Sequence, residues 1–82
     1  MQKSLHSDQH RIVCELLREL RTEAKLTQVQ LAQAIGEPQS LVSRVEVGER
    51  RLDILELRQW LAALDQPLVE FVSVLEQRLQ FP

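Results

Sequence analysis

Residues 27–53, TQVQLAQAIGEPQSLVSRVEVGERRLD, decide how the chain is read. Thr27 carries a hydroxyl that can cap a helix start, and Gln30 stands three residues on, where its amide can return the bond. Leu31, Ala32 and Ile35 follow at helical spacing and form an inner side. Gly36 comes directly after them, where a helix end favours a residue that accepts positive φ. Pro38 suits the opening of another helix, because it lacks an N–H that would go unpaired there. Val42 and Val45 give this next helix its inner face, and Gly48 stops it. The stretch predicts two short helices joined by a tight turn, with Ala32 as the small residue that lets them approach.

Outward from this stretch the pattern stays helical. Upstream, Ile12, Val13, Leu16, Leu17, Leu20 and Ala24 recur at three- and four-residue steps from about His10 on, with charged residues between them. Asp8 is expected to cap this helix, and residues 1–9, polar and without period, read as a flexible arm. Downstream, Asp53 with Glu56 reads as a second capping box, opening a helix with Leu57, Trp60, Leu61 and Leu64 on one side. Pro67 marks a further start, and Leu68, Phe71, Val72, Leu75 and Leu79 then share one stripe. Five helices with short connections and no strand predict an all-α compact bundle, one domain over residues 1–82. Two glycines and no tyrosine argue against a small β-barrel or sandwich.

Composition narrows the setting. A chain of 82 residues supports a single small core, and 44 % hydrophobic with 27 % charged residues is an ordinary globular mixture. No apolar run approaches the roughly 20 residues needed to span a bilayer. MQKSLHSDQH has no apolar stretch that would serve as a secretory signal. Cys14, the single cysteine, makes neither an intramolecular disulfide nor a cysteine-based zinc site, and a reducing cytoplasm is expected. The formal net charge of -2 opposes a simple nucleic-acid binder. It is unevenly spread, however. Residues 11–51 carry seven Lys or Arg against six Asp or Glu, a local +1, while residues 52–82 carry two against five, a local -3.

Counted from Gln28 as the first position, Ala32, Gly36, Val42 and Val45 are the fifth, ninth, fifteenth and eighteenth. With T-Q-x-x-L-A, Q-S-x-V-S-R-x-E and G-E-R-R-L-D, this spacing resembles the helix-turn-helix of the XRE, or phage-repressor-like, family. ELRQWLAALDQP is similar to that family's fourth helix, so the resemblance spans residues 10–66. It implies a lambda-repressor-like DNA-binding domain and a sequence-specific transcriptional regulator, such as a repressor, that binds operator DNA through a recognition helix at residues 38–47. The exposed face opposite Val42 and Val45 carries Gln39, Ser40, Ser43 and Arg44. Gln pairs bidentately with adenine and Arg with guanine, and the resemblance puts base reading at the same four positions. Gln28, at the start of the scaffold helix, is placed to meet a phosphate, and the resemblance adds that it braces the recognition helix. Arg50 and Arg51 are candidate phosphate contacts, with Lys25 a weaker one. The resemblance also implies a largely buried salt bridge between Arg21 and Glu46, which keeps that pair off the DNA-contact set.

Other residues receive plainer readings. Cys14 reads as a packing residue, and Trp60 as a core or interface residue. His6 and His10 lack a third ligand, so neither a metal nor a cofactor is expected. Val47 stands where the family commonly has a polar residue. No convergent catalytic set is visible, and an enzyme is not expected. The last helix carries Val69, Val74 and Phe81 besides its core stripe, more apolar surface than one small core covers. A homodimer built mainly from residues 66–82, with Val69, Val72, Val74 and Phe81 at the contact, is expected. Two recognition helices would then meet two half-sites. The same acidic balance and apolar helix surface fit an alternative, an antitoxin-type interaction module that binds its own operator and masks a toxin.

Overall fold

The computed structural model describes residues 7–81. Five helices follow one another: α1 Asp8–Glu23, α2 Gln28–Ile35, α3 Gln39–Glu46, α4 Ile54–Ala63 and α5 Leu68–Gln80. No strand occurs among the described residues. α2 packs on α3, α1 crosses α3 and α5, and α4 lies against α2 and α5. The core is drawn from all five helices, with Trp60, Leu17, Leu31, Leu61 and Val42 fully enclosed and Phe71 bringing in α5.

Local chemistry explains most boundaries. Thr27 and Gln30 form a complete capping box: Thr27 Oγ1 accepts from the Gln30 N–H at 3.1 Å, and Gln30 Oε1 accepts from the Thr27 N–H at 2.9 Å. Asp53 and Glu56 repeat the device for α4, at 2.7 and 2.9 Å. Both satisfy helix-start N–H groups that would otherwise lack partners. Gly36 ends α2 in the left-handed region, with φ 72°. That conformation favours glycine because a side chain there crowds the backbone.

Three expectations need correction. α1 is capped by Ser7, not Asp8: Ser7 Oγ accepts from the His10 N–H at 3.1 Å. Asp8 is instead the first helical residue and reaches Arg11 at 3.5 Å. The expected arm is therefore helical from Asp8 on, and its residues 1–6, His6 included, lie outside the described residues. Pro38 and Pro67, by contrast, stand where they are expected, directly before α3 and α5 in extended backbone. Val72, expected in the core stripe of α5, is exposed, while Phe71 is buried and Leu68, Leu75 and Leu79 are half-buried. Phe71 fills the space against α1 and α4, which turns Val72, one residue on, toward solvent.

Candidate nucleic-acid interface

The pair α2–α3 is held by an ion pair from outside it. Arg21, near the end of α1, donates from Nε to Glu46 Oε2 at 2.6 Å and from Nη2 to Glu46 Oε1 at 3.0 Å. Its Nη1 donates to the Leu26 carbonyl at 2.8 Å, so one guanidinium ties α1, the loop before α2 and the end of α3. The Glu46 side chain is wholly enclosed, and Arg18 adds a more distant positive charge at 3.7 Å. Burial pushes the Glu46 carboxyl up. Hydrogen bonds from Arg21 and Gln28, with the Arg21 and Arg18 charges, more than offset this and hold it below the usual carboxylate range. The Arg21–Glu46 bridge expected from the sequence is thus present.

The network continues to the protein surface. Gln28 Nε2 donates to Glu46 Oε1 at 2.9 Å, and Gln39 Nε2 donates to Gln28 Oε1 at 2.7 Å. A buried carboxylate at one end of α3 is therefore linked through α2 to the first residue of α3. Gln39 and Ser40 are exposed at the start of α3, Ser43 is half-buried and Arg44 is exposed. Arg44 has no ion-pair partner among the described residues. Gln28, Gln39, Ser40, Ser43 and Arg44 thus belong to one end and one face of the α2–α3 unit, with Val42 and Val45 turned inward.

Arg50 and Arg51 separate. Arg50 is half-buried and holds both Glu56 carboxylate oxygens, at 3.2 and 2.9 Å, and also donates to the Arg51 carbonyl. The same Glu56 closes the α4 capping box, so Arg50 fastens the exit of α3 to the start of α4. This pairing was not anticipated, although the spacing of six residues from Arg50 to Glu56 is the only signal the chain offers for it. Arg51 lines a cleft of about 220 Å³ together with His10, Cys14, Leu52, Phe71 and Leu75, on the α1–α5 side. Lys25 ends the first helix in left-handed backbone, with φ 63°, and is exposed.

The remaining candidates have structural surroundings. Cys14 is buried, with Sγ 3.7 Å from His10 Nε2. Burial raises its pKa against the lowering effect of Arg51, which favours the neutral thiol expected of a packing residue. Trp60 is buried in the core, and Val47 is 54 % exposed at the end of α3. No group of three metal-ligating side chains occurs among the described residues. Among them, no helix is long and apolar enough to cross a membrane. Of the expected contact residues, Val69 and Phe81 are the most open, and Val72 and Val74 are also exposed. Ile54 and Leu55 at the start of α4 add exposed apolar surface beyond the expected residues. Their position opposite the arc of Leu57, Trp60, Leu61 and Leu64 was the available signal.

A helix-turn-helix family profile matches residues 17–71, most of the chain. The chain belongs to the helix-turn-helix family. This helix-turn-helix protein is similar along its length to an XRE-family like protein from Pseudomonas syringae pv. tomato str. DC3000. Identity is 35 %, 94 % of this chain and 92 % of the other are covered, and the TM-score is 0.83. It also shares its fold with the restriction-modification controller protein C.Esp1396I. There identity is 24 %, coverage is 92 % of this chain and 99 % of the other, and the TM-score is 0.82. A mutant form of that controller gives the same TM-score. No curated protein sequence matches the chain. The family and its fold make this helix-turn-helix protein a DNA-binding transcription regulator of the XRE type rather than an enzyme.

Proposed function

We propose that the protein binds a specific operator as a homodimer, reading bases through Gln39, Ser40, Ser43 and Arg44 and bracing on phosphate through Gln28. The observation that carries this reading is the surface end of the Glu46–Gln28–Gln39 chain. It holds a base-reading amide in place at the exposed start of α3, beside an unpaired Arg44. Preorganised polar groups at the N-terminal end of a recognition helix suit the major groove. Arg51 remains a candidate phosphate contact. Arg50 acts chiefly by fixing α4, since its guanidinium is occupied by Glu56.

The exposed valines and Phe81 of α5, with Ile54 and Leu55 on α4, support a second copy as partner. One helix-turn-helix alone discriminates weakly, whereas two linked by a twofold axis read two half-sites. Selection of bound sequences from random duplex DNA tests both parts. The expected result is a palindromic consensus with half-sites one helical turn apart. A pool that enriches no sequence would refute operator binding, and a single unrepeated site would refute the dimer. Co-purification of a second small protein that displaces the DNA would favour the antitoxin reading instead.

A further inference from the structure

We propose that Glu46, a residue with no exposure on the DNA side, sets which base Gln39 reads. The proposal rests on the operator-binding reading above and adds a determinant of its specificity. An ionised carboxylate accepts hydrogen bonds and donates none. Glu46 is held ionised by Arg21 and by its Gln28 contact. Gln28 must therefore turn its Nε2 toward Glu46, which is the arrangement found, at 2.9 Å. With Nε2 committed, Gln28 presents Oε1 to Gln39. Gln39 must then donate one of its two Nε2 hydrogens to that oxygen, at 2.7 Å. Reversing the Gln39 amide would set two carbonyl oxygens against each other at hydrogen-bond distance.

The order of atoms is thus passed from a buried ion pair, through two amides, to the protein surface. Gln39 has its Oε1 and its second N–H left for a partner. Adenine matches both, because N6 donates and N7 accepts. Cytosine matches only the oxygen, through its N4 donor. Guanine and thymine offer only acceptors on their major-groove edges, so each can take the second N–H but leaves Gln39 Oε1 without a donor. Glu46 is in this sense a positioning residue. It favours adenine under Gln39 without approaching DNA, and its effect travels through Gln28.

The test uses the duplex enriched by the full chain from random DNA, together with its four variants at one base pair. That pair is the one at which Gln39→Ala abolishes the preference. The parent is expected to favour adenine over guanine and thymine there by about 10- to 100-fold. Gln28→Met retains Gln39 and the Arg21–Glu46 pair but breaks the relay, and circular dichroism and thermal melting check that it folds. It should cut the adenine-to-guanine ratio to about threefold or less as the freed amide rotates. Glu46→Gln supplies both a donor and an acceptor, and wherever it folds it should lower the same ratio.

A role of Gln28 limited to bracing or phosphate contact predicts something different: all four duplexes weaken by one factor and the ratio is kept. That result, or a parent preference for guanine or thymine at the pair, overturns the relay. A parent that enriches no duplex overturns the operator reading itself, and with it the relay.

Discussion

Glu46 is the buried charged residue of the described chain, and its cost is met by Arg21, Gln28 and Arg18 together. Removing one member leaves a charge without its partner. Glu46→Ala should therefore destabilise the fold by about 3–5 kcal/mol, read as a shift in the urea midpoint. The pair also fixes the sign of an acid effect. Glu46 has a folded-state pKa below its ordinary value of 4.5. Its stabilisation is complete above that ordinary value and is lost as pH falls through the lower folded one. Glu19 and Glu56 are shifted in the same direction by Arg78 and Arg50, so they add to the loss. Urea midpoints measured downward from pH 6 should fall below about pH 4.5, and less steeply in Glu46→Gln where that variant folds. Arg44, proposed above as a base-reading residue, is expected to act on binding and not on stability. Arg44→Ala should leave the melting temperature nearly unchanged and weaken operator binding by about 1–3 kcal/mol, measured by titration of the selected duplex. Sequence spacing puts Arg44 forward as a candidate reader, and the resemblance points to Glu46 as a partner of Arg21, a pair the structure contains. Neither exposes the hydrogen bonds through Gln28 that connect the two ends of α3.

Side-chain caps open α1, α2 and α4, prolines precede α3 and α5, and most of these signals are legible in the chain. Thr27 with Gln30, Asp53 with Glu56 and Gly36 all occupy their expected positions. Thr27→Ala should cost about 1 kcal/mol by thermal or urea denaturation, because it removes a cap and strands an N–H. The α1 start was less legible, since Ser7 and Asp8 are adjacent and both are good caps. Only the backbone shows which hydroxyl or carboxylate meets the His10 N–H. Arg50 carries the same lesson between elements. A basic dipeptide after a recognition helix invites a phosphate reading, but folding brings Glu56 within 2.9 Å of the first arginine. The α1–α5 pair Arg78–Glu19, at 2.8 Å, joins residues 59 positions apart and is half-exposed, so no local sequence window contains it. Its double-mutant coupling should be about 0.2–1 kcal/mol and should shrink in high salt.

At the scale of the whole molecule, charge and apolar surface fall on different parts. The acidic excess belongs to residues 52–82, which also carry most of the exposed valines and Phe81. Residues 11–51 are barely positive, with a local +1. Nonspecific binding to DNA is therefore expected to be weak and to fall steeply with salt, with discrimination resting on a few base contacts and on two half-sites. Val69→Glu places a charge on the most open apolar position of α5 without touching the core. It is expected to yield the mass of one subunit by light scattering at micromolar concentration and to weaken operator binding at least tenfold, about 1.4 kcal/mol or more. A variant that stays dimeric with unchanged affinity would move the dimer contact elsewhere.

The helices, the two capping boxes, the Gly36 stop, the inward residues of α2 and α3, and the family could all be read from the chain. Those features are local: they follow from three- and four-residue spacing and from the few residue types that end a helix. Tertiary structure alone decided where polar side chains found partners. It sent Arg50 to Glu56 and Arg78 to Glu19, turned Val72 outward beside Phe71, and joined Gln39 to Glu46 through Gln28. A side-chain hydrogen bond depends on a few tenths of an ångström between elements, and periodicity carries no information at that distance.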